Sequence, residues 1–305
     1  MKKERKNMSV TAMQRVAKSL DLKVNFHSDK CMKHSYEIGG QKFVKPVQMI
    51  EHKGQVVCPR CVVEENDRVL KEQANNHYKK IDRAKKFNML TKHSIISNEE
   101  ILEATLSNYR TECNETRTNK KRVEDIVDSL KVGEVKNVFI VGVQGAGKSH
   151  LAYSILRELR EHFYELSDGE KYGDKLLYKK MKSSLFVEIE QLMRLIKDSF
   201  NNKESKYTEE YCVELLTSVD FLVLDDLGAE SGSMNRTDEA SNFIQRVLYA
   251  VTNGRQGKVT ITTTNLSSGD IFKKYDKKLG SRILNKAEAI VFKETSDKRI
   301  EHLGF

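Results

Sequence analysis

The chain contains no tryptophan, only two prolines, and no apolar run near the roughly 20 residues needed to cross a bilayer. A membrane-spanning helix is therefore not expected, and two prolines in 305 residues leave long helices uninterrupted. The opening MKKERKNMSV is charged with no apolar segment behind it, so a cytoplasmic protein is expected rather than a secreted one. Cysteine is scarce: five residues in such a chain argue against a disulfide framework and turn attention to their spacing. Acidic residues are outnumbered, 44 against 53 Lys and Arg, which leaves a net charge of +9. That balance favours a polyanionic partner such as nucleic acid, and an ordinary basic surface would produce it equally well. A hydrophobic fraction of 38% with 32% charge fits a soluble globular protein. Its length exceeds what one core usually supports, so two domains are expected.

Four of the ligand-type residues fall in two pairs. Cys31-Met-Lys-His34 is C-x-x-H, and Cys58-Pro-Arg-Cys61 is C-x-x-C on a proline-containing, knuckle-like turn. Each pair brings two ligands close enough to share one tetrahedral ion, and the segment between them reads as short strands and turns. A structural Zn²⁺ held by Cys31, His34, Cys58 and Cys61 is the expectation, with His27 and His52 as the nearest substitutes for His34. A domain this small has little core, so metal binding would supply much of its folding free energy. Cys113 and Cys212 have no paired neighbours and read as ordinary thiols.

From Glu64 to about Lys92 the sequence is charged and helix-forming, as in a connecting helix. Its basic cluster Lys79, Lys80, Arg83, Lys85 and Lys86 suits contact with nucleic acid or a partner, and a solvated helical face is the commoner explanation. Ser97 or Asn98 before Glu99 and Glu100 marks a helix start. The polar run from Thr111 to Lys121 reads as a seam, followed by the amphipathic helix RVEDIVDSL.

The chemistry concentrates beyond that seam. Val138 to Val141 form a β-branched and aromatic run that stops at glycine, as a buried strand feeding a tight turn does. Gly142, Val143, Gln144, Gly145, Ala146, Gly147, Lys148 and Ser149 then spell G-x-x-x-x-G-K-S, with His150 following. In that spacing the backbone N–H groups cradle phosphates, Lys148 reaches the β- and γ-phosphates, and the Ser149 hydroxyl ligates Mg²⁺. Leu151, Ile155, Leu159 and Phe163 share one helical face, so the loop opens a helix whose dipole favours the anion.

A second apolar strand, Phe221 to Leu224, ends in Asp225 and Asp226. Such a strand tip is a Walker B arrangement, with Asp225 in the Mg²⁺ shell and Asp226 polarising the attacking water. A third strand, Lys258 to Thr264, ends in Asn265, an amide that can orient that water or simply begin a turn. Arg282 and Arg299 can each offset charge on leaving phosphates, as a neighbouring subunit's arginine does in ring or filament ATPases, or sit in surface ion pairs.

The ordered set G-V-Q-G-A-G-K-S-H-L, F-L-V-L-D-D-L-G-A-E, T-I-T-T-T-N-L-S and G-S-R-I resembles the AAA+ helicase-loader family of bacteria and phages, the DnaC/DnaI type. The likeness covers about Ser94 to Phe305, and the Cys/His module in front resembles the helicase-binding domain of the DnaI type. It implies an α/β protein: an AAA+ P-loop NTPase, with a parallel sheet flanked by helices, behind a small zinc-binding α+β domain. The corresponding division is 1–90 for the zinc-binding, helicase-interacting domain, 91–125 for a linker and its helix, and 126–305 for the ATPase. The implied function is an ATPase that uses ATP/ADP with Mg²⁺, binds the replicative hexameric helicase and places it on single-stranded DNA. Arg282 would be a finger acting in trans, implying self-association, and Arg299 sensor 2. Asp-Asp where the superfamily often has Asp-Glu implies slow, switch-like hydrolysis.

The stretch from Ser184 to Ser218 reads as an inserted helical element whose apolar stripe, Phe186, Ile189, Leu192, Met193, Leu195 and Ile196, suits core or a DNA-binding face. Arg194, Lys197 and Phe200 are its candidates for strand contact. Two other functions fit the same core: a transposition-helper ATPase of the IstB type acting on duplex DNA, and a nucleotide-gated adaptor with negligible turnover. The zinc module counts against the first.

Overall fold

The computed structural model describes residues 25–167, 171–172, 175–176, 181–231, 240–295 and 297–298. It divides into two units, with the boundary between Lys79 and Lys80.

In the first unit, β1 (Asn25–Cys31) pairs antiparallel with β4 (Val47–His52), which pairs with β5 (Gln55–Val57). A separate hairpin joins β2 (Ser35–Ile38) to β3 (Gln41–Val44) through Gly39 and Gly40, a two-residue turn of the kind that glycine pairs favour. The short strands expected between the two ligand pairs are thus present. Helix α1 (Pro59–Lys92) starts at its proline, the first-turn position where a missing N–H is harmless. The C-x-x-C pair therefore lies at a helix start and not on a free-standing knuckle, with Cys61 in the first turn. Only Met89 and Leu90 of this 34-residue helix are buried. Of its basic cluster, Arg83 donates to Ser167 Oγ and Tyr164 O, and Lys86 pairs with Asp82, so both are engaged within the second unit.

The second unit is built on a five-stranded parallel sheet in the order β12-β6-β11-β10-β9. Its strands are β6 (Asn137–Gly142), β9 (Ser184–Glu188), β10 (Phe221–Leu227), β11 (Val259–Thr264) and β12 (Ala287–Phe292). Two minor strands, β7 (Lys171–Tyr172) and β8 (Lys175–Leu176), pair with each other elsewhere. Side chains alternate across the sheet. Val138 and Ile140 join the core formed with α2 (Asn114–Lys131) and α3 (Lys148–Ser167). Phe139 joins the opposite core, formed with α4 (Ile189–Ser199), α5 (Glu209–Ser218), α6 (Asn242–Gly254), α7 (Ser268–Lys274) and α8 (Lys277–Ile283). Helices on both faces explain why the strands read as continuous apolar runs; each fully buried Val or Ile contributes about 1.5–3 kcal/mol. This is the parallel α/β architecture that the motifs imply.

Two expectations need correction. The stretch from Ser184 to Ser218 is not an insertion: it supplies edge strand β9 and helices α4 and α5. Ile189, Leu192, Met193 and Ile196 are at most 2% exposed, so the apolar stripe is core. The polar run from Thr111 to Lys121 is not a seam either, because α2 begins at Asn114. There Thr116 donates to Cys113 O at 2.9 Å and buried Asn119 donates to Val291 O at 2.9 Å. Polar side chains buried through hydrogen bonds leave no apolar period to read.

The lead-in to the sheet covers its edge. Ile95 bridges Val187, with Ile95 N–H donating to Phe186 O at 2.9 Å and Glu188 N–H to Ile95 O at 2.8 Å. Unpaired strand groups are thereby satisfied. Asn98 caps a 3-10 turn at Glu99–Glu103, close to the expected helix start. No helix among the described residues is long and apolar enough to cross a membrane.

Candidate nucleotide and metal sites

The carboxyl ends of β6, β10 and β11 converge on one cavity of ≈ 700 Å³, lined by Gln144, Gly145, Gly147, Lys148, Ser149, His150, Asp225, Asp226, Thr263 and Asn265. Crevices outside strand ends are where open α/β sheets take ligands. The loop between β6 and α3 needs its glycines for contact as well as curvature. At Gly145, with φ +75°, a Cβ would lie 1.7 Å from the Asp297 carboxylate oxygen. Val143 is exposed while Ala146 is fully buried, its carbonyl accepting from the Tyr109 hydroxyl at 3.4 Å.

Lys148 is 7% exposed, and its ammonium donates to Val143 O at 2.7 Å and Asn265 Oδ1 at 2.6 Å. The Asn265 amide nitrogen in turn donates to Asp226 Oδ1 at 3.4 Å. The Ser149 hydroxyl donates to Asp225, whose Oδ1 also accepts from Thr263 Oγ1 at 2.6 Å. Burial pushes the Asp225 carboxyl up to about 6, with the charges of Asp226 and Glu188 adding to it and the hydrogen bonds opposing. A buried carboxylate beside a serine hydroxyl can hold a divalent cation, which would favour its ionised form.

Strand β10 runs through both acids to Leu227, beyond the expected end at Leu224. Its register against β11 breaks between Leu224 and Leu227, and Asp226 takes φ +55°. Thr263 holds this break: its hydroxyl accepts from Asp226 N–H at 2.9 Å while donating to Asp225. Thr263 escapes sequence reasoning, although a threonine in a buried strand must find a polar partner. Glu188, at the tip of β9, also lines the cavity and pairs in register with Asp225. Its Oε2 accepts from Ser97 N–H at 2.9 Å, tying the lead-in to the site. Only the strand order reveals it.

His150 braces the lead-in from the opposite side. Burial lowers its pKa, and the neutral ring donates from Nε2 to Thr105 O at 2.9 Å. Arg282 is away from this cavity, on α8. Its guanidinium lies 4.5 Å over the Tyr249 ring and donates to Lys278 O at 3.4 Å, and it lines a separate cavity of ≈ 520 Å³ with Asn285 and Lys286. Arg299 lies outside the described residues. Its neighbour Lys298 donates from its backbone to Gly145 O at 3.3 Å and from Nζ to Arg110 O at 2.6 Å.

In the first unit Cys31, His34, Cys58 and Cys61 come together with all four ligand atoms within 4.8 Å of one another. Cys31 Sγ and Cys61 Sγ are 3.7 Å apart, and His34 Nε2 lies 3.2 Å from Cys58 Sγ and 3.3 Å from Cys61 Sγ. A tetrahedral zinc with bonds of about 2.3 Å to sulfur has S···S edges of about 3.8 Å, so the set fits a Cys₃His ion. His34 Nδ1 lies 3.3 Å from Glu64 Oε1, which turns Nε2 toward the metal position. His27 and His52 are not part of the cluster.

Residues 119–298, more than half of the chain, match the family model described as the NB-ARC domain. Solved structures similar to the chain include the DnaC helicase loader, at 22% identity over 64% of this chain and 100% of that one, with a TM-score of 0.49. DnaI matches at 22% identity over 66% and 96%, with a TM-score of 0.48. The replication initiator DnaA bound to AMPPCP and single-stranded DNA matches at 15% identity over 63% and 51%, with a TM-score of 0.45. No curated protein matches the sequence.

Proposed function

Because the chain belongs to the NB-ARC domain family, with the core of an AAA+ P-loop nucleotide-binding domain, we propose that it is an ATP-dependent helicase loader. It binds the replicative hexameric DNA helicase and places it on single-stranded DNA. The observation that carries this reading is the presence, in one chain, of a Cys₃His cluster and a cavity where Lys148, Asn265 and Asp226 form one hydrogen-bonded line. The D-D-L-G-A-E and T-T-N-L-S strings supply Asp226 and Asn265, and they are the specific part of the resemblance to loaders. Residues 1–90 serve as the helicase-interacting domain, 91–125 as a linker with its helix and 126–305 as the ATPase.

In this account ATP lies against Gly142 to His150, and Lys148 leaves Val143 O and Asn265 for the β- and γ-phosphates. Ser149 and Asp225 hold Mg²⁺, which supplies charge neutralisation at the phosphates. Asn265 and Asp226 orient the attacking water. Asp226 is one methylene shorter than glutamate, which favours slow hydrolysis suited to a switch. Arg282 acts on the nucleotide of a neighbouring copy, consistent with its distance from its own cavity, and Arg299 acts as sensor 2. Zn²⁺ at Cys31, His34, Cys58 and Cys61 holds the first unit folded. Arg194, Lys197 and Phe200, on or beside exposed positions of α4, remain the candidates for contact with single-stranded DNA.

Mixing the purified full chain with the host's hexameric helicase and measuring complex mass with ATP, with ADP and without nucleotide tests the reading. A complex whose stability depends on nucleotide supports it; no binding under any condition overturns it. The short Asp226 carboxylate also favours a nucleotide-gated adaptor with negligible turnover, for which Asp226→Asn would load helicase as well as wild type. The Cys₃His geometry weighs against the IstB-type transposition helper.

A further inference from the structure

Glu230, the last residue of D-D-L-G-A-E, has no part in the chemistry above, yet it is a carboxylate only 6% exposed. Its two oxygens do different things. Oε2 accepts from Gly228 N–H at 2.8 Å, and Oε1 accepts from the hydroxyl of Tyr275, itself 2% exposed. Lys274, almost fully buried, places its charge close enough to favour the carboxylate. Burial raises the Glu230 pKa all the same. An apolar side chain here would leave the Gly228 N–H and the buried Tyr275 hydroxyl without an acceptor and the Lys274 charge without its neighbour, so the carboxylate offsets its burial through what it holds.

It holds the turn that aims Asp226. Asp226 has φ +55°, a conformation that a non-glycine residue keeps only where neighbours enforce it, and Gly228, with φ +109°, supplies the turn that follows. Thr263 fixes one side through Asp226 N–H. Glu230 fixes the other through Gly228 N–H, where a Cβ would come within 2.7 Å of Leu266. Tyr275 is the C-cap of α7, and the next residue, Asp276, is the N-cap of α8, the helix that carries Arg282. The phenol therefore ties the Walker B turn to the root of the arginine's helix. Burial, with the Glu230 and Asp226 charges, pushes the Tyr275 hydroxyl up, so it stays protonated as the donor.

We infer that Glu230 and Tyr275 are a positioning pair that holds Asp226 in its productive direction and couples that direction to helix α8. The pair rests on the ATPase reading and adds to it two residues that touch neither nucleotide nor metal. In the full-length protein, Tyr275→Phe removes one hydrogen bond at nearly constant volume. It is expected to lower kcat by on the order of tenfold, the scale of a modest misplacement of a reacting group, with KM for ATP and affinity for ADP within about twofold. Glu230→Ala is expected to lower kcat at least as much. Glu230→Gln keeps both contacts, its carbonyl oxygen facing Gly228 N–H and its amide donating to the phenol oxygen, and is expected to recover most of the turnover.

Wild-type turnover that Lys148→Ala abolishes establishes the ATPase independently of the pair. If Tyr275→Phe then keeps wild-type kcat, or if kcat, KM and ADP affinity worsen together, the inference is overturned. Should Glu230→Ala not fold, the Tyr275→Phe and Glu230→Gln comparison decides alone.

Discussion

The side-chain amide of Asn265 stands between two charges: its oxygen accepts from Lys148 at 2.6 Å, and its nitrogen donates to Asp226 at 3.4 Å. An amide serves there because it accepts and donates at once, which neither a carboxylate nor an ammonium does. Asn265→Ala breaks that line while leaving the phosphate loop intact. Turnover is expected to fall by about 10²-fold, the scale of losing one preorganised donor, with ADP affinity little changed. Steady-state phosphate release beside a nucleotide titration checks this; unchanged turnover would remove Asn265 from the chemistry.

The Cys₃His cluster predicts about one metal per chain by elemental analysis. Cys58→Ser with Cys61→Ser should lose it, and the first unit should become protease-sensitive, because a domain with so few buried residues depends on its ion. Glu64→Gln should retain the metal but bind it about 10-fold or more weakly, since His34 loses the carboxylate that orients it. A folded, metal-free double variant contradicts the assignment.

Much of this was legible in the chain. The run Val138 to Val141 stopping at glycine and the pairs Cys31/His34 and Cys58/Cys61 carry their meaning in local spacing, and the structure has the strand, the loop and the cluster where that spacing puts them. What could not be read is non-local. Strand β9 is five residues long and passes directly into α4, so its apolar residues merge into a helical stripe and the pair resembles an insertion. Glu188, Thr263 and Glu230 matter through partners 91, 38 and 45 residues distant. No periodicity encodes such pairings.

Glu115, in the first turn of α2, accepts hydrogen bonds from the backbone of Lys293, Glu294 and Thr295 at 2.7, 3.0 and 2.8 Å, securing the end of β12. Burial pushes its carboxyl up, and the hydrogen bonds from Thr295, Lys293 and Glu294 outweigh that and hold it below its ordinary 4.5. A depressed folded-state pKa contributes stability that is present above 4.5 and lost as pH falls through the lowered value. Glu115→Gln should therefore melt about 2–4 °C below wild type at pH 7, with the gap closing in acid. A gap independent of pH contradicts the account.

Arg282 lies outside its own nucleotide cavity, so its effect on turnover should require a second copy. Arg282→Ala and Lys148→Ala are each expected to be inactive alone, the first lacking the finger and the second lacking the phosphate lysine. Mixed, they should recover part of the turnover, because an Arg282→Ala nucleotide site can receive the arginine of a Lys148→Ala neighbour. Phosphate release as a function of total protein checks this, and no recovery at any concentration contradicts trans action.

We propose that nucleotide at the Lys148 site controls delivery of a helicase to single-stranded DNA. The most direct measurement is helicase retained on a closed circle of single-stranded DNA, with wild-type protein and with Lys148→Ala, in ATP. Retention is expected with wild type and background levels with Lys148→Ala, although the variant keeps its Cys₃His unit. Equal retention with both proteins, or none with either, contradicts it.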